Sequence, residues 1–216
     1  MNFTYEIAKQ IGPYMRSRGF KRKGKRFYNI QNDIAFCIEF EMPSDSIYVW
    51  AYILPLYMPC DFITLSYGNR LGNMPSIMLP LLNKTDSTEQ ISAWCALLCS
   101  RIEDTILPFF RSIDSPLKLA VSIEKDGEFR KFMHCPEIHM AELRIYTHLY
   151  LRNQIQLQDA MECYEKELKG YPYTFERRQK QMDWLKQMRI LSESDEETIC
   201  AYLNQAMEIT QRHFKK

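Results

Sequence analysis

Residues 34–42, IAFCIEFEM, alternate strictly, with Ile34, Phe36, Ile38, Phe40 and Met42 on one side and Ala35, Cys37, Glu39 and Glu41 on the other. A period of two is the mark of a β-strand with one buried face, because successive side chains point to opposite sides of a sheet. PSDS (43–46) is a run of turn formers, and IYVWAYIL (47–54) is rich in the β-branched and aromatic residues that suit a pleated surface. With 43–46 as the loop, Met42 faces Ile47, Phe40 faces Val49, Ile38 faces Ala51 and Phe36 faces Ile53. That is one continuous apolar face. Its reverse pairs Glu41 with Tyr48, Glu39 with Trp50 and Cys37 with Tyr52.

The same arithmetic extends backward. A two-residue turn at Asn32-Asp33 sets Phe27 opposite Ile38 on the core face, Arg26 opposite Glu39, and Tyr28 opposite Cys37. A one-residue slip would drive Arg26 into the core, so parity selects this register. Arg26, Tyr28, Glu39, Glu41, Tyr48, Trp50 and Tyr52 then share the face away from the core, and they form the candidate binding face. The aromatic members are large enough to stack on a ligand, a nucleobase or a partner helix. The favoured reading has this chain's own helices cover them.

Just before the sheet, GFKRKGKRFY (19–28) concentrates positive charge in a chain whose net charge is only +1. Residues 1–30 hold eight Lys/Arg against one Asp/Glu, and residues 31–115 hold four against ten, so the basic start and the acidic middle are expected to sit together. The cluster Arg16, Arg18, Lys21, Arg22, Lys23 and Lys25 has two readings. As an edge strand its lysines oppose strand-to-strand aggregation; as a phosphate surface it would bind nucleic acid with strong salt dependence. Partial neutralisation of Arg26 by Glu39 and Glu41 favours the edge.

Helical spacing brackets this segment. Phe3, Ile7, Ile11 and Met15 recur every four residues and Gly19 supplies a stop, which predicts one amphipathic helix with a glycine C-cap. DFITLSY (61–67) reads as a further strand ahead of GNRLGN. Ser87 and Gln90 form a capping box for a helix whose stripe is Ile91, Trp94, Cys95, Leu98, Ile102 and Ile106, and Pro108 is expected to kink or end it. Ser115-Pro116 opens a short helix. Strand signals vanish after about residue 134, where helices are expected over 136–152, 156–169, 173–191 and 195–214. Ala160, Tyr164 and Pro172 match part of a tetratricopeptide pattern, but no repeat recurs. The fold class is therefore α+β: an antiparallel sheet of about four or five strands packed with helices in residues 1–133, followed by a C-terminal helical extension of about four helices in residues 134–216.

An amphipathic helix, GFKRKGKRFYN, an alternating strand, an aromatic strand, ITLSYGNRLGN and a helix running into ILPFF together resemble the bacterial domain of unknown function 4304 over about residues 3–120. The resemblance implies an intracellular bacterial protein and carries no catalytic residues with it.

Composition sets further bounds. At 46% hydrophobic residues over 216 positions the chain has ample core material, and no window approaches the roughly 18 apolar residues that span a bilayer. MNFTYEIAKQIG interleaves charge with apolar residues, unlike a secretion signal. Seven cysteines at 37, 60, 95, 99, 135, 163 and 200 show no paired spacing, which reads as buried thiols in a reducing compartment, hence a cytoplasmic location without membrane association.

Chemical motifs are sparse. Gly-rich phosphate loops and the serine nucleophile elbow are missing from the sequence. HCPEIH places His134, Cys135 and His139 within six residues, but a buried helix start accounts for them better than zinc. Cys95 and Cys99 fit a core stripe better than a redox pair, and Glu39 with Glu41 fits a surface ladder better than an acid–base pair. No cofactor, metal site or catalytic residue is expected. The leading expectation is a non-enzymatic binding or interaction module with a protein partner. Nucleic-acid binding through the 16–26 cluster is the alternative, and an enzyme using Glu39 and Glu41 is the second.

Overall fold

The computed structural model of the chain describes residues 3–61, 65–74, 77–124, 127–133 and 135–215. Its centre is an antiparallel meander of β1 (Lys21–Lys23), β2 (Arg26–Gln31), β3 (Ile34–Glu41), β4 (Ser46–Pro55) and β5 (Gly68–Arg70), in that spatial order. A two-residue strand, β6 (Leu82–Asn83), pairs with the start of β4. The registers are those that parity requires: Arg26 faces Glu39 and Phe27 faces Ile38 across β2–β3, while Glu39 faces Trp50 and Phe40 faces Val49 across β3–β4. Asn32 and Asp33 turn the β2–β3 hairpin with φ of 45° and 62°. Two successive left-handed residues match the right-handed twist of the strands they join.

Among the described residues the basic strand β1 is the sheet edge and pairs with β2 alone. It follows α1 (Phe3–Gln10) and α2 (Gly12–Ser17), two helices where the sequence pattern predicts one. The break falls at Ile11 because Gly12-Pro13 follows, and proline cannot donate to a carbonyl four residues back. The apolar stripe nevertheless survives, with Ile7, Ile11 and Met15 buried. Gly19, at φ 82°, closes α2: Phe20 N–H donates to the Met15 carbonyl and Gly19 N–H to that of Arg16, each at 3.0 Å. That pair of bonds is a Schellman cap, and its left-handed residue is the reason for a glycine there.

The expected strand over 61–67 is only partly within the described residues, since 62–64 lie outside them. The strand that pairs with β4 is instead Gly68–Arg70. Glycine is required at its start, because an added Cβ at residue 68 would lie 2.4 Å from Tyr52 Cβ. Beyond it, α3 (Thr88–Arg101) begins with the Ser87–Gln90 capping box. The helix does not end at Pro108. Ile102–Ile106 widen into a π-helical turn and α4 (Leu107–Ser112) continues, so the wider turn takes up the misfit of the proline ring. After it come α5 (Pro116–Ser122), capped by Ser115, and a short α6 (Glu128–Phe132) that the sequence pattern does not announce.

Four helices complete the chain: α7 (Glu137–Tyr150), α8 (Gln154–Gly170), α9 (Phe175–Ser192) and α10 (Glu196–Gln211). Side chains of Asn153, Thr174 and Asp195 cap the last three. One apolar cluster runs from Ile7 and the inner sheet face through Leu98 and Phe110 into Leu143, Tyr164 and Leu203. Tyr57, just past β4, stacks on Tyr150 of α7 at 4.4 Å and shares a hydrogen bond with Thr147. These contacts bring the end of β4 against the helical region. Among the described residues no helix is long and apolar enough to cross a membrane.

Candidate functional site

The outer sheet face is mostly closed. Tyr28, Cys37 and Tyr52 are buried there in a second apolar cluster with Ala35, Leu54, Leu56 and Phe214. Phe214 arrives from the end of α10 and lies over Tyr28 with ring centroids 4.9 Å apart. Burial pushes the Cys37 thiol up to about 12. Beside this plug the polar row is internally satisfied. Arg26 Nε donates to Glu39 Oε2 at 2.7 Å, Tyr52 donates its hydroxyl to the same oxygen at 2.7 Å, and Lys25 Nζ stands 3.5 Å from Oε1. Burial raises the Glu39 carboxyl, but those hydrogen bonds and the Arg26 and Lys25 charges outweigh it and hold the group below its ordinary range.

Glu41, Tyr48 and Trp50 stay half-exposed at the margin. Trp50 Nε1 donates to Glu41 at 2.8 Å, and the Arg70 guanidinium lies 4.1 Å from the Tyr48 ring centre and 5.1 Å from that of Trp50. The hollow that Glu41 and Trp50 border with Lys25, Arg26 and Glu39 measures only about 110 Å³. All seven residues of the face predicted from the sequence are thus brought together, but three of them, Tyr28, Glu39 and Tyr52, are buried.

The basic cluster is not held as one surface. Arg18 pairs with Glu103 at 2.7 Å, Arg22 donates to the Gly24 and Tyr5 carbonyls, Lys23 donates to the Lys215 carbonyl at 2.6 Å, and Lys25 faces Glu39. Of the six cations, only Arg16 and Lys21 make no side-chain hydrogen bond or ion pair among the described residues.

A different place has chemistry to spare. Where β4 ends, residues 54–61 face α7, α8 and α9 across a cleft of about 300 Å³. Its apolar wall is Leu54, Pro55 and Met58; its polar wall is Asp61, Tyr67, His139, Glu142, Tyr164, Tyr173, Arg177 and Gln181. Local sequence explains the projection. His139 and Glu142 are three apart on α7 and so share a side, and Arg177 and Gln181 are four apart on α9.

Glu142 Oε2 accepts the buried Tyr67 hydroxyl at 3.2 Å and lies 3.4 Å from His139 Nδ1. Burial first, and the neighbouring Glu142 charge second, keep the Tyr67 phenol well above its usual range, so it remains a neutral donor. Tyr164 donates to Gln181, and the Arg177 guanidinium lies 4.4 Å from the Tyr173 ring centre. The 58–60 wall is pinned from behind by α10: Thr210 donates to the Met58 carbonyl, Cys60 N–H donates to Thr210 Oγ1 at 3.1 Å, and His213 Nε2 donates to the Cys60 carbonyl at 2.6 Å.

The cleft was not legible from sequence, apart from His139, which the HCPEIH segment singles out in another role. His134 lies outside the described residues. Among those described, no three or more His, Cys, Asp or Glu side chains gather as metal ligands. Cys135 is half-buried, and desolvation chiefly, with the Glu142 charge next, raises its thiol to about 12. Cys95, within the core stripe, points its sulfur at Gln10 Oε1 across 3.4 Å.

No family model, curated protein or solved structure matches the chain.

Proposed function

We propose that the protein is a non-enzymatic binding module and that its ligand site is the cleft between the end of β4 and helices α7–α9. One contrast carries this reading. On the outer sheet face every predicted charge already has an intramolecular partner, whereas in the cleft, among the described residues, Asp61 and Arg177 form no ion pair and Glu142 has His139 as its one ion-pair partner beside the neutral Tyr67 hydroxyl. Polar groups converging opposite an apolar wall are a recurring element of small-molecule sites, and here the polar side is the larger. The volume falls at the lower end of the roughly 300–1,000 Å³ range of such sites, which suits a metabolite-sized ligand. Glu39 and Glu41 are poor candidates for acid–base chemistry, since the first is saturated by three donors and the second holds Trp50.

The direct test is a ligand-observed NMR screen of a small-molecule library against the full chain. Hits should lose contact with an Arg177→Ala, Gln181→Ala double variant that retains the wild-type circular dichroism spectrum. A screen in which hits bind wild type and this variant alike would reject the cleft.

A second reading, binding of a partner protein, draws on the margin of the sheet face. Arg, Trp and Tyr are the residues that dominate interface energetics, and Arg70, Trp50 and Tyr48 stack there half-exposed. Binding of nucleic acid is the weaker alternative, because four of the six cluster cations already have partners within the chain.

A further inference from the structure

Resting on the cleft reading, we infer that the ligand is a small zwitterion with an apolar side group, of the chemical class of the α-amino acids. The cleft presents two carboxylates, Asp61 and Glu142, and one guanidinium, Arg177. A ligand bearing only a cation would leave Arg177 uncompensated as water is displaced, and one bearing only an anion would face both carboxylates. Partly buried charges are tolerated when each meets an opposite charge. A zwitterion satisfies both signs at once.

The two ends are separately prepared. Tyr67 occupies Glu142 Oε2, which fixes the carboxylate and leaves Oε1 to accept from an ammonium group. Arg177 is laid against the Tyr173 ring, a stack that orients the guanidinium while leaving its N–H edge to donate to a carboxylate. The two groups come from different helices, α7 and α9, so the ligand bridges them. Beside the charged groups, Leu54, Met58 and the tyrosine rings offer an apolar wall for the side group.

Isothermal titration of the full chain with three probes tests the class: L-phenylalanine, phenethylamine, which lacks the carboxylate, and 3-phenylpropionate, which lacks the amine. L-Phenylalanine should bind about tenfold or more tighter than either, the scale of one charge-assisted hydrogen-bonded contact. Arg177→Ala should reduce L-phenylalanine to the level of phenethylamine. Glu142→Gln should reduce it to the level of 3-phenylpropionate. Because Glu142 also holds Tyr67, the exposed Asp61→Asn is the companion variant and should weaken amine-bearing probes alone. Phenethylamine or 3-phenylpropionate binding as tightly as L-phenylalanine would overturn the zwitterion. So would silence from all three probes. In that case library hits that still depend on Arg177 and Gln181 would leave the cleft reading standing, and their absence would remove both.

Discussion

The hydroxyl of Tyr28 donates to the main-chain carbonyl of Phe214 across 3.0 Å, and the two rings lie 4.9 Å apart. This contact joins the second strand of the sheet to the segment just past α10. It turns a sheet face that the sequence presents as a candidate recognition surface into a second small core, in which Cys37 and Tyr52 are fully buried. Phe214→Ala should therefore lower stability by about 3 kcal/mol, the low end of aromatic-to-alanine costs in cores. It should also speed modification of Cys37 by a thiol reagent. Urea denaturation and mass-resolved labelling read the two effects, and a variant with unchanged stability and an unreactive Cys37 would show that Phe214 is no plug.

Glu39 accepts from both Arg26 and Tyr52, and those bonds are stronger to a carboxylate than to an amide. Glu39→Gln should cost about 2 kcal/mol at pH 7, in line with hydrogen bonds to charged groups. The pH dependence follows from the depressed carboxyl. Its stabilisation is fully present above the unfolded carboxylate value of about 4.3 and is lost as pH falls through the lower folded value. The gap between wild type and variant should thus close below about pH 4. A gap that stayed constant down to pH 3 would mean that the charge contributes nothing.

Gly68 is held by its neighbours rather than by its backbone angles. A Cβ there would approach Tyr52 Cβ to 2.4 Å and the Ala51 carbonyl oxygen to 2.8 Å. Gly68→Ala must push β5 off β4, at a cost of roughly 1–3 kcal/mol or more. The same shift would move Arg70 off Trp50 and Tyr67 away from Glu142. Equilibrium unfolding should report the first effect, and weaker retention of cleft ligands the second. Wild-type behaviour in both would contradict the close approach.

The sheet was legible because parity is unforgiving. Phe36, Ile38 and Phe40 can face the core in only one register, and that register fixes Arg26 beside Glu39 without further information. The four terminal helices were legible because strand signals vanish after about residue 134, while the Asn153 and Thr174 caps that start two of them came only from the structure. What escaped was long-range. Nothing near Tyr28 in the chain announces Phe214, and nothing near His139 announces Tyr67 or Arg177, since these meet only when α7 and α9 fold back on the end of β4. The helix break at Gly12-Pro13 was written in the sequence but was overridden there by the four-residue apolar spacing. The π-helical turn before Pro108 lets a helix continue where proline alone predicts a kink or a stop.

The edge strand gives a colloidal prediction. Replacing Lys21, Lys23 and Lys25 with Gln should raise self-association, seen by light scattering, because edge lysines oppose strand pairing. It should leave binding to the cleft unchanged. The wild-type chain should show no salt-sensitive affinity for duplex DNA. A log–log salt slope that fell by up to about 0.9 per lost lysine would instead establish phosphate contacts.

The three tryptophans report on three different places, which makes indole N–H NMR the most direct measurement. Trp184 lies against Tyr164 of the cleft at 4.9 Å, Trp50 sits on the sheet margin bonded to Glu41, and Trp94 is anchored in the core by the Pro80 carbonyl. Titrating a small-molecule hit into the ¹⁵N-labelled protein should shift the Trp184 signal while Trp50 and Trp94 stay in place. A shift of Trp50 with Trp184 unmoved would contradict the cleft and return the function to the sheet face.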